Sequence, residues 1–272
     1  MKNKIFRLII GKKKKSPDTK ELEPATEYAC LSDKGLRRSV NQDSFSVFPE
    51  KYVPSLCPKG QLFLVADGIG GHIAGRKASE MAINIVQESY FADTDEDIPK
   101  SLLRAYKSAN SQIFKEAGDY VFNQKMGTTC TALVLSEDRG YTAHVGDSRI
   151  YCICEKKIEQ LTKDHTEIAE MVRHDILTKD EADTHPQRSV LSRALGIESD
   201  VEVDIKEDIQ LKSSEYFVLC TDGLAKVSLE EIREIVLSNT PEESCKLLVE
   251  IANQRGGIDN VTVQVVRIDQ TS

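Results

Sequence analysis

Residues 61–72, QLFLVADGIGGH, constrain this chain more than any other stretch. The run at 62–66 is short and apolar, which reads as a buried strand. It stops at Asp67-Gly68; Gly70 and Gly71 follow, and then a helical spacing begins. A carboxylate at the tip of a buried strand is held rigidly and faces outward. Gly68 lets the backbone come close to whatever that carboxylate holds. The arrangement suits a metal ligand or a catalytic acid. Asp-Gly also marks ordinary turns between strands, so the stretch alone does not decide between them.

Composition excludes several classes. The 272 residues allow one large domain or two small ones with a sizeable core. Lys and Arg total 36 against 44 Asp and Glu, a formal net charge of -8, which argues against a nucleic-acid partner. No apolar run approaches the ~20 residues of a membrane-spanning helix. The 7 cysteines contain no C-x-x-C pair, so neither a disulfide framework nor a zinc site is expected, and a reducing cytoplasm is.

Residues 1–25 differ from the rest. An apolar patch at 5–10 is broken by Arg7, a basic run fills 12–15, and a Ser-Pro and an acidic stretch follow. The patch is too short and too charged for a signal peptide. This segment is expected to be a disordered basic tail. The alternative, an anchor for anionic membrane or an acidic partner, is not adopted.

The folded domain is expected over 26–270. Strand patterns fall at 28–32, 45–48, 62–66, 127–135, 140–145, 150–154, 216–220 and 260–268. Between them, Ala78, Met81, Ala82, Ile85 and Val86 recur at helical spacing, and Leu102, Leu103, Tyr106, Ala109, Ile113 and Phe114 mark the expected buried face of a second helix. Two more helical patterns occupy 229–237 and 241–253, and 166–196 reads as a helical insertion over a sheet edge. Strands and helices are grouped, not alternating one by one. That predicts α+β, with antiparallel sheets covered by helices.

Asp67, Asp147, Asp222 and Asp259 all sit where an apolar strand meets a Gly-bearing turn, and Asp43 sits just before another strand. No single element gathers them, but stacked sheets would bring strand ends to one edge. Such a cluster needs cations, because like charges a few ångströms apart are costly. Oxygen-only ligation suits Mg2+ or Mn2+. Two such ions could activate a water, and Arg37 or Arg38 could hold a phosphate by paired hydrogen bonds. The residues therefore point to metal-assisted hydrolysis of a phosphate ester. Turn formation explains each Asp singly and the set badly.

The ordered motifs are Gly35-x-x-Arg38-x-x-Asn41-Gln42-Asp43, Asp67-Gly68-Ile69-Gly70-Gly71-His72, Gly127-Thr128-Thr129, His144-Val145-Gly146-Asp147-Ser148-Arg149, Leu161-Thr162-x-Asp164-His165, Thr221-Asp222-Gly223-Leu224 and Gly257-x-Asp259-Asn260. In that order they resemble the metal-dependent protein serine/threonine phosphatases of the protein phosphatase 2C family, in its bacterial branch. The resemblance implies two stacked antiparallel β-sheets flanked by pairs of α-helices, an αββα four-layer sandwich. It implies hydrolysis of phosphoserine and phosphothreonine by a hydroxide bridging two Mn or Mg ions. Asp67 would bridge them, Asp222 and Asp259 would complete one, and the Gly68 carbonyl would help hold the other. Asp43 would orient water, Arg38 would bind the substrate phosphate, and Asp147 would serve a third, weaker ion. Residues 166–196 would be a mobile flap. Substrates would be phosphoproteins made by a serine/threonine kinase, met by a cytoplasmic monomer.

Three positions depart from the family pattern. Ile69 stands where eukaryotic members carry a general-acid His, leaving His72 as the candidate for that role. Gln42 stands where many relatives have Glu. Lys226 follows Asp222 by four residues, where relatives often place an Asp on the third metal; it either pairs with Asp147 or Asp222, or swings into solvent. A catalytically dead phosphoprotein binder would lack Asp67, Asp222 or Asp259, and all three are present. A phosphatase for small esters would need a closed pocket in place of an open cleft.

Overall fold

The computed structural model describes residues 7–11, 24–52, 57–118 and 126–270. In chain order these form strands β1 (Arg7–Gly11), β2 (Pro24–Asp33), β3 (Asp43–Phe48) and β4 (Gln61–Ile69), then helices α1 (His72–Ala92) and α2 (Ile98–Gly118). Strands β5 (Gly127–Thr128), β6 (Cys130–Ser136), β7 (Arg139–Val145), β8 (Arg149–Cys154) and β9 (Lys157–Gln160) follow, then helices α3 (Glu167–Arg173) and α4 (Lys179–Thr184). Strands β10 (Asp204–Gln210) and β11 (Tyr216–Cys220), helices α5 (Leu229–Ser238) and α6 (Pro241–Gln254), and strand β12 (Val261–Gln270) complete the order.

One sheet runs β1-β2-β12-β11-β8-β9, and the other runs β10-β7-β6-β4-β3 with β5 beside β4. The apolar run of β4 does not alternate because both of its faces are covered. Phe63 and Val65 face a core between the sheets, with Phe45, Leu133, Phe217 and Leu219. Leu62, Leu64 and Ala66 face α1 and α2. The same split sends Val218 and Cys220 of β11 toward α5 and α6, against Ile232, Val236 and Leu248. Three apolar layers thus separate four structural ones, and the expected αββα sandwich is observed. Complete burial of a side chain such as Phe63 stabilises by about 1.5–3 kcal/mol.

The later helices start where their sequences say they should. Ser228 and Glu231 close a capping box on α5, and Thr240 and Glu243 close one on α6, which has Pro241 in its first turn.

Three edge strands were not expected, and one of them, β9 with sequence KIEQ, pairs with β8 at the end of the first sheet. β10, sequence DIKEDIQ, pairs with β7 and is too charged to read as a strand; such charges are usual on a sheet edge. Residues 7–11, expected within a disordered tail, pair with residues 28–32 of β2 as an edge strand. That pairing satisfies β2's outward backbone groups. The basic run at 12–15 lies outside the described residues. No described helix is long and apolar enough to cross a membrane.

Candidate active site

Antiparallel pairing brings seven strand ends to one edge of the sandwich. Asp43 at the start of β3 lies directly opposite Asp67 near the end of β4. Asp222 follows β11 and Asp259 precedes its neighbour β12, while Asp147 lies in the turn from β7 to β8. Arg38 is carried there by the turn after β2. Gly68 is required by close approach: a Cβ there would lie 2.1 Å from the Gly75 carbonyl oxygen and 2.8 Å from that of Gln42.

Hydroxyls and one amide fix this edge. Asp43 Oδ2 accepts from Thr221 Oγ1 at 2.8 Å and from Thr262 Oγ1 at 2.7 Å. The Asp67 amide donates to Thr129 Oγ1 at 2.8 Å, and the Asp67 carbonyl accepts from Thr128 Oγ1 at 2.8 Å. Asn260 accepts from the Gln42 amide at 2.8 Å and donates to the carbonyls of Lys34 and Val40 at 2.8 and 3.0 Å. That one side chain ties the Arg38 turn to the start of β12.

The carboxylates repel one another in a poorly solvated place. Burial first, then Asp222 and Asp259, push Asp43 up to about 7 against the pull of its two threonine donors. Burial and Asp222 push Asp147 up to about 8, with Arg149 opposing. Asp67 is pushed well above the usual range by burial and then by Asp43 and Asp222. Asp222 is raised by burial and Asp259. Arg38 Nη2 donates to Asp259 Oδ2 at 2.6 Å, and this bond raises the guanidinium pKa further. The cleft above these groups has a volume of about 660 Å3 and is lined by Arg38, Asp67, Gly68, Asp147, Asp222 and Asp259. The lining also draws on residues 189–194, 197, 198 and 200–202.

The sequence profile of the family described as protein phosphatase 2C matches residues 37–254. The chain belongs to the protein phosphatase 2C family. The serine/threonine phosphatase stp of Listeria monocytogenes is 35% identical over 246 residues, covering 88% of this chain and 95% of that one. The solved serine/threonine phosphatase of S. agalactiae is 33% identical with a TM-score of 0.80, over 90% of this chain and 100% of that one. The catalytic domain of the serine/threonine protein phosphatase PstP, solved in complex with 2 manganese ions, is 32% identical with a TM-score of 0.74, over 90% of this chain and 99% of that one. The resemblance carried by the motifs therefore holds, and the chain is a protein phosphatase of the bacterial branch.

The donors in this family member fit a hard divalent cation. Every candidate ligand is an oxygen. Asp43 Oδ1 and Asp222 Oδ1 are buried without a hydrogen-bond partner among the described residues, so each has lone pairs to spare. A closed cage is not preformed: among the described residues no three His, Cys, Asp or Glu side chains make a ready metal group.

The remaining expectations divide. Arg37 is absent from the cleft lining, and its amide donates to the Gly257 carbonyl at 3.1 Å. Lys226 does not pair with Asp147 or Asp222. Its Nζ donates to the Arg255 carbonyl at 3.2 Å, while Arg255 returns a bond to the Lys226 carbonyl at 2.7 Å and pairs with Glu231. The turn after Asp222 thus points that ammonium toward the C-terminus of α6, where carbonyls are free to accept. His72 opens α1, and its side chain lies outside those described. Thr262 was not named from sequence, and Thr221 and Asn260 stood only inside motifs, with no role assigned. Thr221 and Asn260 adjoin Asp222 and Asp259, and that adjacency is the signal that could have found them.

Proposed function

We propose that this chain removes phosphate from phosphoserine and phosphothreonine of proteins, using two Mn2+ or Mg2+ ions held by Asp67, the Gly68 carbonyl, Asp222 and Asp259. Asp147 would serve a weaker third ion. One observation carries the reading: the four strand-end carboxylates and Arg38 line the same cleft. When bound, the ions would neutralise the carboxylates and lower the pKa of the attacking water.

The chain's own groups supply the rest. Arg38 presents a planar set of donors to the phosphate oxygens, and its bond to Asp259 fixes it before substrate arrives. Asp43, held on one oxygen by two threonines, keeps its other oxygen to orient and deprotonate water. His72 is the candidate to protonate the leaving serine or threonine oxygen. Water adds to phosphorus as the ester oxygen leaves, giving the free hydroxyl and inorganic phosphate. The open cleft favours a protein substrate, presented by the action of a serine/threonine kinase, over a small ester. Seven free cysteines support a reducing compartment, and we place the enzyme in the cytoplasm as a monomer. The test is phosphate release from a phosphothreonine peptide with Mn2+. Release that a chelator abolishes supports the reading, and release that survives full chelation contradicts it.

A further inference from the structure

The part of the cleft lining drawn from residues 189–202 is itself acidic. Glu198, Asp200 and Glu202 line it, and Arg193 is its lone cation in the lining. Asp200 is paired with Lys107 from α2, and Glu202 lies 3.4 Å from Arg193, which is shared with Asp204 at 3.0 Å. Glu198 has no ion-pair partner among the described residues, and it is exposed. A phosphorylated residue brings two negative charges into this cleft, so an unpaired carboxylate on the rim is unfavourable unless the ligand also brings a cation.

The rim is built, not incidental. Asn110 on α2 is 1% exposed; its Oδ1 accepts from the Gly196 amide at 2.8 Å and its Nδ2 donates to the Glu198 carbonyl at 3.0 Å. Gly196 has φ +84, and a Cβ there would meet Ile113 at 2.2 Å, so the chain is seated hard on the helix. Leu195 exchanges both backbone bonds with Thr128 at 2.9 and 3.0 Å. Beside Glu198, Ile197 is 36% exposed and lines the cleft, as does Val190 at 40%. An apolar side chain next to a carboxylate, on a fixed backbone, matches the stem and head of an Arg or Lys.

Resting on the phosphatase reading, we propose that this rim selects phosphoproteins with a basic residue flanking the phosphorylated one. Glu198 takes the cationic head and Ile197 its stem, while Glu202 adds a weaker attraction. All three are specificity residues on the cleft lining, outside the set of groups assigned to the chemistry.

The test compares two phosphothreonine peptides of equal length, one with Arg and Lys flanks and one with Glu and Asp flanks. The Mn2+-loaded full chain, Glu198→Gln and Glu198→Lys are each assayed, with p-nitrophenyl phosphate as a substrate that has no flanks. The wild type should favour the basic peptide by about fivefold in kcat/KM, as expected for a partly exposed pair, and less as salt is raised. Glu198→Gln should bring the ratio near one and Glu198→Lys should invert it, with p-nitrophenyl phosphate turnover unchanged in all three. Equal use of both peptides by the wild type, or a preference that survives Glu198→Lys, overturns the rim while leaving the phosphatase reading intact. No turnover of any of the three substrates by the wild type would bring down the phosphatase reading and the rim with it.

Discussion

Arg38 and Asp259 are joined by a 2.6 Å bond although 221 positions separate them in sequence. The pair links the candidate phosphate clamp to a candidate metal ligand. It also distinguishes the two adjacent arginines, because Arg37 contributes a backbone amide and no cleft lining. Arg38→Ala should raise KM for a phosphothreonine peptide about tenfold or more, the worth of a charge-assisted hydrogen bond. Arg37→Ala should change it less than about twofold, as a surface side chain does. Steady-state kinetics on both variants checks this, and a larger effect at Arg37 contradicts it.

Metal binding should depend on pH in a defined direction. The folded-state pKa values of Asp43 and Asp147 are raised to about 7 and about 8, above the ordinary 3.8. Protonation of these groups therefore stabilises the metal-free fold. That contribution is complete near pH 4 and is lost as pH rises through about 7 to 8. A cation replaces the protons, so added Mn2+ should raise Tm more at pH 8 than at pH 5. Calorimetric melting at both pH values checks it; an equal shift at the two would count against the cluster.

Away from the cluster, His144 should govern acid sensitivity. It is 1% exposed, with Nδ1 against Thr131 Oγ1 at 2.8 Å and Nε2 against the Lys163 carbonyl at 3.0 Å. Burial and the neighbouring His165 lower its pKa from 6.5 to about 4. A depressed pKa means stability that is present above 6.5 and lost as pH falls toward 4, amounting to about 3 kcal/mol. Unfolding free energy should fall more steeply over that window in the wild type than in His144→Gln, which carries no titrating ring. Parallel profiles would remove His144 from the explanation.

Lys226 should be indifferent to metal. Its ammonium is tied to the Arg255 carbonyl and not to the cleft carboxylates. Lys226→Ala should leave the Mn2+ titration of activity unchanged. A tighter apparent affinity in the variant would show that the ammonium reaches the ions after all.

Much of this was legible in the residues, for identifiable reasons. The strand over residues 62–66 announced itself because both faces are buried and every side chain is apolar. Asp67, Asp147, Asp222 and Asp259 were readable as a set because each ends or begins such a strand. What escaped is what only tertiary contact decides. β10 is a strand because β7 offers it an edge, not because DIKEDIQ favours one. Residues 7–11 are ordered by the outer edge of β2. The direction of Lys226 depends on a carbonyl 29 positions away. Glu198 looks like any surface acid until Asn110 is seen holding its backbone.

The most direct measurement of the central claim is turnover of a phosphothreonine peptide by Asp222→Asn at saturating Mn2+, together with its Tm in the absence of metal. Asp222 has a buried oxygen without a partner and a pKa raised by burial and Asp259, so the neutral amide is tolerated by the fold. The account predicts an unchanged or higher metal-free Tm and a loss of kcat of about a hundredfold to a thousandfold, the several kcal/mol that metal assistance supplies. Turnover within about threefold of the wild type, in a variant that melts normally, would contradict it.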